Sequence, residues 1–244
     1  MSASHTTHDG NDRLVSVICR TVGRPTLATA LDSLARQDHS SLEVVLVNAA
    51  DTDLQDKIPP EFPHPVKQVG SGTNLSRPEA ANLGLESSAG EYLLFLDDDD
   101  WIASEHISNL VGALTDNGKL IVAYSSTAKV TEQGEPTDLA FNQDYDPLLL
   151  MRDNYIPIHA ALFRRSVLLQ GCRFDPELKI YEDWDFWLQL TQLGDFQHID
   201  ITSAFYREGG ESETSAATSD NRYSPDTPLG ASRAKLYQKW KDRW

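Results

Sequence analysis

EYLLFLDDDDW, Glu91 to Trp101, decides how the chain folds. Its first half, Tyr92 to Leu96, is apolar without polar alternation, the pattern of a parallel strand covered by helices on both faces. Its second half, Asp97 to Asp100, sets four carboxylates side by side, where they repel one another and oppose strand formation. In parallel α/β sheets ligands gather outside the C-terminal ends of the strands, so these acids stand where a site is expected. Adjacent carboxylates become favourable together around a cation, and an oxygen-only set suits Mg²⁺ or Mn²⁺. The plainer alternative is a solvated acidic turn in which Asp100 caps the next helix.

The flanking sequence supports a parallel sheet. LVSVIC, from Leu14, predicts a buried strand, and PTLATALDSLARQ a helix with Pro25 in its first position and Leu27, Leu31 and Leu34 on one face. LEVVLVN then predicts a second strand, so the order is strand, helix, strand with a right-handed crossover. A Pro-rich loop, a short apolar step at Val66 to Val69 and a helix in RPEAANLGLESSAG, capped by Gly90, lead back to the acidic strand. Downstream, Ile107, Leu110, Val111 and Leu114 mark an amphipathic helix, and IVAYSSTAKV a strand that turns around Gly134 and Pro136. EDWDFWLQLTQLG predicts a helix burying Trp184, Trp187, Leu188 and Leu190, and ITSAFYR another strand. Gly209 to Ser219 reads as a mobile loop. The expected fold is α/β: a mostly parallel central sheet flanked by helices, with a mixed α+β second half.

At 244 residues and 40% hydrophobic content, the chain suits one domain, expected over residues 14–230 behind a disordered leader at 1–13. The net charge of -16 argues against nucleic-acid binding, which needs clustered Lys and Arg. Two cysteines, Cys19 and Cys172, make neither a disulfide framework nor a zinc cluster, and suit a reducing compartment. No run approaches the roughly 18 apolar residues of a membrane span, so a cytoplasmic location is expected. Residues 231–244 read as a basic aromatic helix, with Arg233, Lys235, Lys239, Lys241 and Arg243 among Tyr237, Trp240 and Trp244. It either docks its aromatics on the domain or makes peripheral contact with a membrane, at the inner face, or with a partner.

Four stretches in order, VSVICRTVGRPTLATALDSLARQ, LEVVLVNAADTD, NLSRPEAANLGLESSAGEYLLFLDDDDW and EDWDFWLQL, resemble the family 2 glycosyltransferases of the GT-A fold, over about Val15 to Arg207. The resemblance implies a metal-dependent inverting enzyme that moves a sugar from a nucleoside-diphosphate sugar, UDP-type ahead of others, to a hydroxyl of a glycan, lipid-linked or small-molecule acceptor. It divides the domain into a nucleotide-binding half, about 14–101, and an acceptor half, about 102–230. Asp97 and Asp99 become the DxD pair on Mn²⁺ or Mg²⁺, Asp99 the more direct ligand, with Asp98 near sugar or ribose. Thr21, Arg24, Asn48, Arg77 and Asn82 fall where the family binds its donor. Asp183 matches the catalytic base, with Glu182 as its neighbour and Asp185 in reserve. His159, Trp184 and Arg207 fall on the acceptor side or lid. Helix capping by Glu182 and Asp183 is the structural alternative.

Three departures bear on the donor. The family's paired acids after the second strand are Asn48 and Ala49 here, which removes support for uridine over another nucleoside. The Arg preceding the family's Asn is Ala81, with Arg77 one turn earlier on the same face. The chain reads REGGESET from Arg207, where a histidine is common shortly after the arginine, so metal coordination from that loop is not expected. A catalytically silent GT-A module that binds nucleotide or glycan as a scaffold is the alternative.

Overall fold

The computed structural model describes residues 13–70, 74–208 and 219–243. The expected leader and most of the 209–219 loop lie outside the described residues. Four parallel strands form the first half: β1 (Val15–Thr21), β2 (Leu42–Asn48), β3 (Val66–Val69) and β4 (Tyr92–Asp97), in spatial order β3-β2-β1-β4. Helix α1 (Leu27–Ala35) connects β1 to β2, and α2 (Arg77–Ser87) precedes β4. Every residue of β1 is buried, because alternate side chains enter opposite layers. Val17 and Cys19 pack in the layer with Leu27, Leu31 and Leu34 of α1, whereas Ile18 joins Ala80, Ala81 and Leu85 of α2.

The sheet continues through the second half as β4-β8-β6-β9-β5, with β7 against β6, giving nine strands among the described residues. These are β5 (Trp101–Ile102), β6 (Leu120–Val130), β7 (Pro136–Phe141), β8 (Ala161–Arg164) and β9 (Asp195–Arg207). β8 runs antiparallel to β4 and β6, whereas β6 and β9 are parallel. Helices α3 (His106–Asp116), α4 (Pro147–Arg152), α5 (Glu182–Thr191), α6 (Ser219–Tyr223) and α7 (Pro228–Trp240) complete the chain. Trp184, Phe186 and Trp187 of α5 are fully buried with Phe163 and Phe174.

Several local expectations are corrected. Gly90 does not cap α2, which gives way to an extended Ser88. Gly90 instead donates its N–H to Ser16 Oγ at 2.7 Å, so close to β1 that a Cβ would lie 2.6 Å from the Ser16 nitrogen. Asp100 caps no helix, because β5 intervenes and α3 starts only at His106. The terminal helix begins at Pro228, capped by the Thr227 hydroxyl, and buries Leu236 and Trp240. Its cations are paired at home: Arg233 with Asp153, Lys235 with Glu177, Lys239 with Asp175 and Asp185. This is the arrangement of an aromatic helix docked on its own domain. No helix among the described residues is long and apolar enough to cross a membrane.

Candidate active site

The C-terminal ends of β1 and β4 place Arg20 and Asp97 side by side in register. Arg20 grips Asp97 with two parallel bonds, Nε to Oδ1 and Nη2 to Oδ2, both 2.7 Å. Its third nitrogen, Nη1, lies 3.7 Å from Glu182 at the start of α5. Around this group opens a cleft of about 370 Å³. Arg20, Thr21, Arg24, Arg77, Asp97 and Asp99 from the first half of the chain line it together with His159, Glu182, Asp183 and Arg207 from the second. The two halves of the chain therefore contribute to a single cavity.

The four consecutive acids are spent differently. Burial opposes ionisation of Asp97, yet the Arg20 charge and hydrogen bonds hold its carboxyl below the ordinary range. Asp98 is fully buried and accepts from Thr21 Oγ1 at 2.6 Å, Val22 N at 3.1 Å and Arg24 Nη1 at 2.6 Å. It shapes the loop after β1 and does not line the cleft, which corrects its expected contact with sugar or ribose. Asp100 accepts from the Arg207 backbone N–H at 3.0 Å and pairs with His159 Nδ1 at 3.0 Å. Asp99 faces the cleft, with the Arg24 guanidinium 4.0 Å away. Burial, then the charges of Asp100 and Asp97, push its carboxyl up to about 7.

A divalent cation must be fitted to this set. Each Asp97 oxygen accepts one bond from Arg20 and keeps a second lone pair at the cleft. No three His, Cys, Asp or Glu side chains converge as a metal cage among the described residues. Asp99 alone of the four presents a carboxylate with no side-chain hydrogen bond among the described residues. Mg²⁺-type sites often use one or two carboxylates together with substrate phosphates, so Asp99 fits the ion only in company with a diphosphate.

Just before Glu182, the neighbour of Arg20, Tyr181 carries the chain into α5 with φ +65, the one positive φ of a non-glycine residue among those described. Such strain is held in place by its surroundings and concentrates at functional sites. The turn delivers Glu182 and Asp183 to the cleft. Asp183 accepts from Asn154 Nδ2 at 2.9 Å and from the Trp184 N–H at 2.7 Å. Burial pushes both carboxyls up, Glu182 to about 7 with the Asp183 charge adding to the effect. A carboxylate oriented by an amide and raised in basicity is suited to accept a proton. Asn154 was not legible in the sequence, because its contact to Asp183 spans 29 residues and carries no motif.

Other expected site residues do different work. Asn48 donates to Thr52 O at 2.6 Å and accepts from Ala50 N, closing its own loop, and Ala49 lines the cleft instead. Asn82 exchanges two bonds with the Phe174 backbone, at 2.8 and 2.9 Å, and so fastens α2 to the loop before α5. Asp185 is fully buried against Lys239 and Trp240 Nε1, which removes it as a reserve base. Trp184 is core, its Nε1 bound to Leu150 O at 2.6 Å. His159 is buried at the cleft. Burial works to lower its pKa, but the Asp100 charge and hydrogen bond win and raise it. Arg207 spans Asp99 O at 3.0 Å, the Glu132 carbonyl and the Trp101 ring, locking the acidic turn to β9.

Comparison with known proteins gives one answer. The family model described as Glycosyl transferase family 2 matches residues 15–170. The uncharacterized glycosyltransferase YwdF of Bacillus subtilis is 23% identical over 94% of this chain and 83% of its own length. An uncharacterized glycosyltransferase of Haemophilus influenzae is 26% identical over 75% of this chain, which spans 64% of that relative. Among solved structures, S. aureus TarS 1-349 in complex with UDP-GlcNAc superimposes with a TM-score of 0.68 at 22% identity, covering 94% of this chain and 72% of that one. Mannosyltransferase PcManGT from Pyrobaculum calidifontis, in complex with GDP-Man and Mn²⁺, gives 0.59 at 16%, covering 92% and 70%. With the family's model matched over more than half its length, and a GT-A sheet beneath the cleft, the chain belongs to glycosyl transferase family 2 and is a glycosyltransferase.

Proposed function

We propose that the protein is a metal-dependent, inverting glycosyltransferase that moves a sugar from a nucleoside-diphosphate sugar to a hydroxyl of a glycan, lipid-linked or small-molecule acceptor. One observation carries the reading: a single cleft is lined both by an open carboxylate, Asp99, and by a raised, amide-oriented carboxylate, Asp183. The neighbours' complexes with UDP-GlcNAc and GDP-Man support a nucleotide-sugar donor and leave the base open, as the loss of an acid at Asn48 does. The donor diphosphate would lie against Arg24, Arg77 and Asp99, and Arg207 would brace the acidic turn from behind. Asp99 would hold Mn²⁺ or Mg²⁺, which when bound supplies Lewis-acid stabilisation of the departing diphosphate. Asp183 takes the acceptor hydroxyl's proton as that oxygen attacks the anomeric carbon opposite the leaving group, so the configuration inverts.

The test is calorimetry and diphosphate release with UDP-, GDP-, dTDP- and CDP-sugars, with and without Mn²⁺. Asp183→Asn should lower turnover by about 100-fold or more, the scale of a lost general base, while nucleotide affinity stays within about twofold. Absence of any metal-dependent nucleotide binding would sink this reading. Binding without diphosphate release across the whole donor panel would favour the silent scaffold, to which Ala49 at the cleft wall lends some weight.

A further inference from the structure

We infer that Arg20 is a positioning residue: its guanidinium ties the donor-site acid Asp97 to Glu182, and thereby sets the base Asp183 in register with the donor. The assignment of Asp183 as base rests on the reading above. The geometry of the tie stands by itself. Arg20 occupies the end of β1, 7% exposed, and its planar fork is filled on one side by both Asp97 oxygens. The remaining arm reaches Glu182 Oε1 at 3.7 Å and the Arg77 carbonyl at 3.5 Å. The Phe95 ring lies 5.5 Å from the guanidinium carbon and restricts its movement.

Few side chains could span these three elements. Lysine offers a point charge and cannot bind Asp97 bidentately while reaching Glu182. The link adds a charged contact to the start of α5, a turn otherwise held by Asn154 on Asp183 and by Trp184 Nε1 on Leu150 O. Tyr181 enters it at positive φ, and no side chain caps its N-terminus. Glu182 is buried and its half-buried neighbour Asp183 repels it, so a cation beside Glu182 holds that turn in the cleft. A misplacement of about 1 Å at a reacting group costs on the order of 100-fold in rate, which is the scale at which such a tie acts.

The test is a double-mutant cycle with a readout independent of turnover. Arg20→Lys keeps the charge and should keep the fold; Arg20→Gln removes the charge; Glu182→Gln removes the other end. Arg20→Lys should lower diphosphate release by about tenfold or more with nucleotide affinity within about threefold, a kcat effect and not a KM effect. Arg20→Lys with Glu182→Gln should be no slower than the slower single variant, because both cut one link. The acidic limb of the pH profile should move upward in Arg20→Gln and return in Arg20→Lys. Hydrogen exchange of residues 180–187 should quicken by about tenfold in Arg20→Lys but stay near wild type in Asp97→Asn, which spares the Glu182 arm. Additive losses, or unchanged exchange at 180–187 in both Arg20 variants, would overturn the assignment. The exchange measurement decides even if the wild type releases no diphosphate, an outcome that would count against the proposed reaction alone.

Discussion

Asp99 differs from its three neighbours in what surrounds its carboxylate, and the difference sets a pH dependence. Asp97, Asp98 and Asp100 each accept at least two hydrogen bonds or ion-pair contacts, whereas Asp99 has a guanidinium 4.0 Å away and like charges closer in sequence. Its carboxyl is pushed up to about 7. A cation must displace that proton, so affinity for Mn²⁺ with UDP should climb by up to about tenfold per pH unit below 7 and level off above it. Calorimetry from pH 5.5 to 8.5 reads this directly, and Asp99→Asn should abolish the slope along with the metal. The sequence made the acids conspicuous, since four carboxylates after an apolar strand are visible without a partner. It could not rank them. Their counter-ions lie 59 to 77 residues away, as for His159 with Asp100 and Arg20 with Asp97, and nothing local encodes such pairs. Asn82 and Asp185 failed for the same reason: the residue type suited a site, but a distant backbone and a terminal lysine had claimed it.

Elements were more legible than residues where one period dominates. Helix α3 buries Ile107, Leu110, Val111 and Leu114 as its spacing dictates, and α5 buries Trp184, Trp187, Leu188 and Leu190. Strand β7 escaped notice because most of its residues are exposed and it has no apolar face to announce it. Helix α2 gives a sharp packing test. Gly84 lets it approach β1 so closely that a Cβ would stand 2.2 Å from Ile18 Cγ2. Gly84→Ala gains about 1 kcal/mol of helix propensity but overpacks at a cost of about 1–3 kcal/mol. The net should be a loss on urea unfolding, and with Ile18→Ala in the same chain the total loss should be smaller than the sum of the two single losses. Helix α7 gives another. Lys239 partners the buried Asp185, so Lys239→Ala should cost on the order of 2–4 kcal/mol by stranding that carboxylate. Asp185→Asn with Lys239→Met should recover much of the loss, showing that the lone charge, and not the missing methylenes, is responsible.

Across the whole molecule, the sheet joins a parallel half to a mixed one through β4 and β8, and both contribute to the lining of the cleft. The parallel half followed from the alternation of strand and helix; the order β8-β6-β9-β5 did not, because its strands pair both parallel and antiparallel without that alternation. The charge balance of the cleft also emerges only at this scale. In a chain of net charge -16, Arg20, Arg24, Arg77 and Arg207 all border it. Asp97, Asp98 and Asp100 therefore meet Arg20, Arg24 and His159 as soon as the chain is folded. The repulsion seen in the sequence is answered from within, so a chelator alone should leave the melting temperature within about 2 °C, while Mn²⁺ with UDP raises it by ligand linkage. Scanning calorimetry of the metal-stripped protein checks both. For a cell this separates abundance from throughput. On the proposed metal dependence, the protein should persist at its normal level as a folded apoprotein when manganese runs short, and transfer should resume on resupply without new translation.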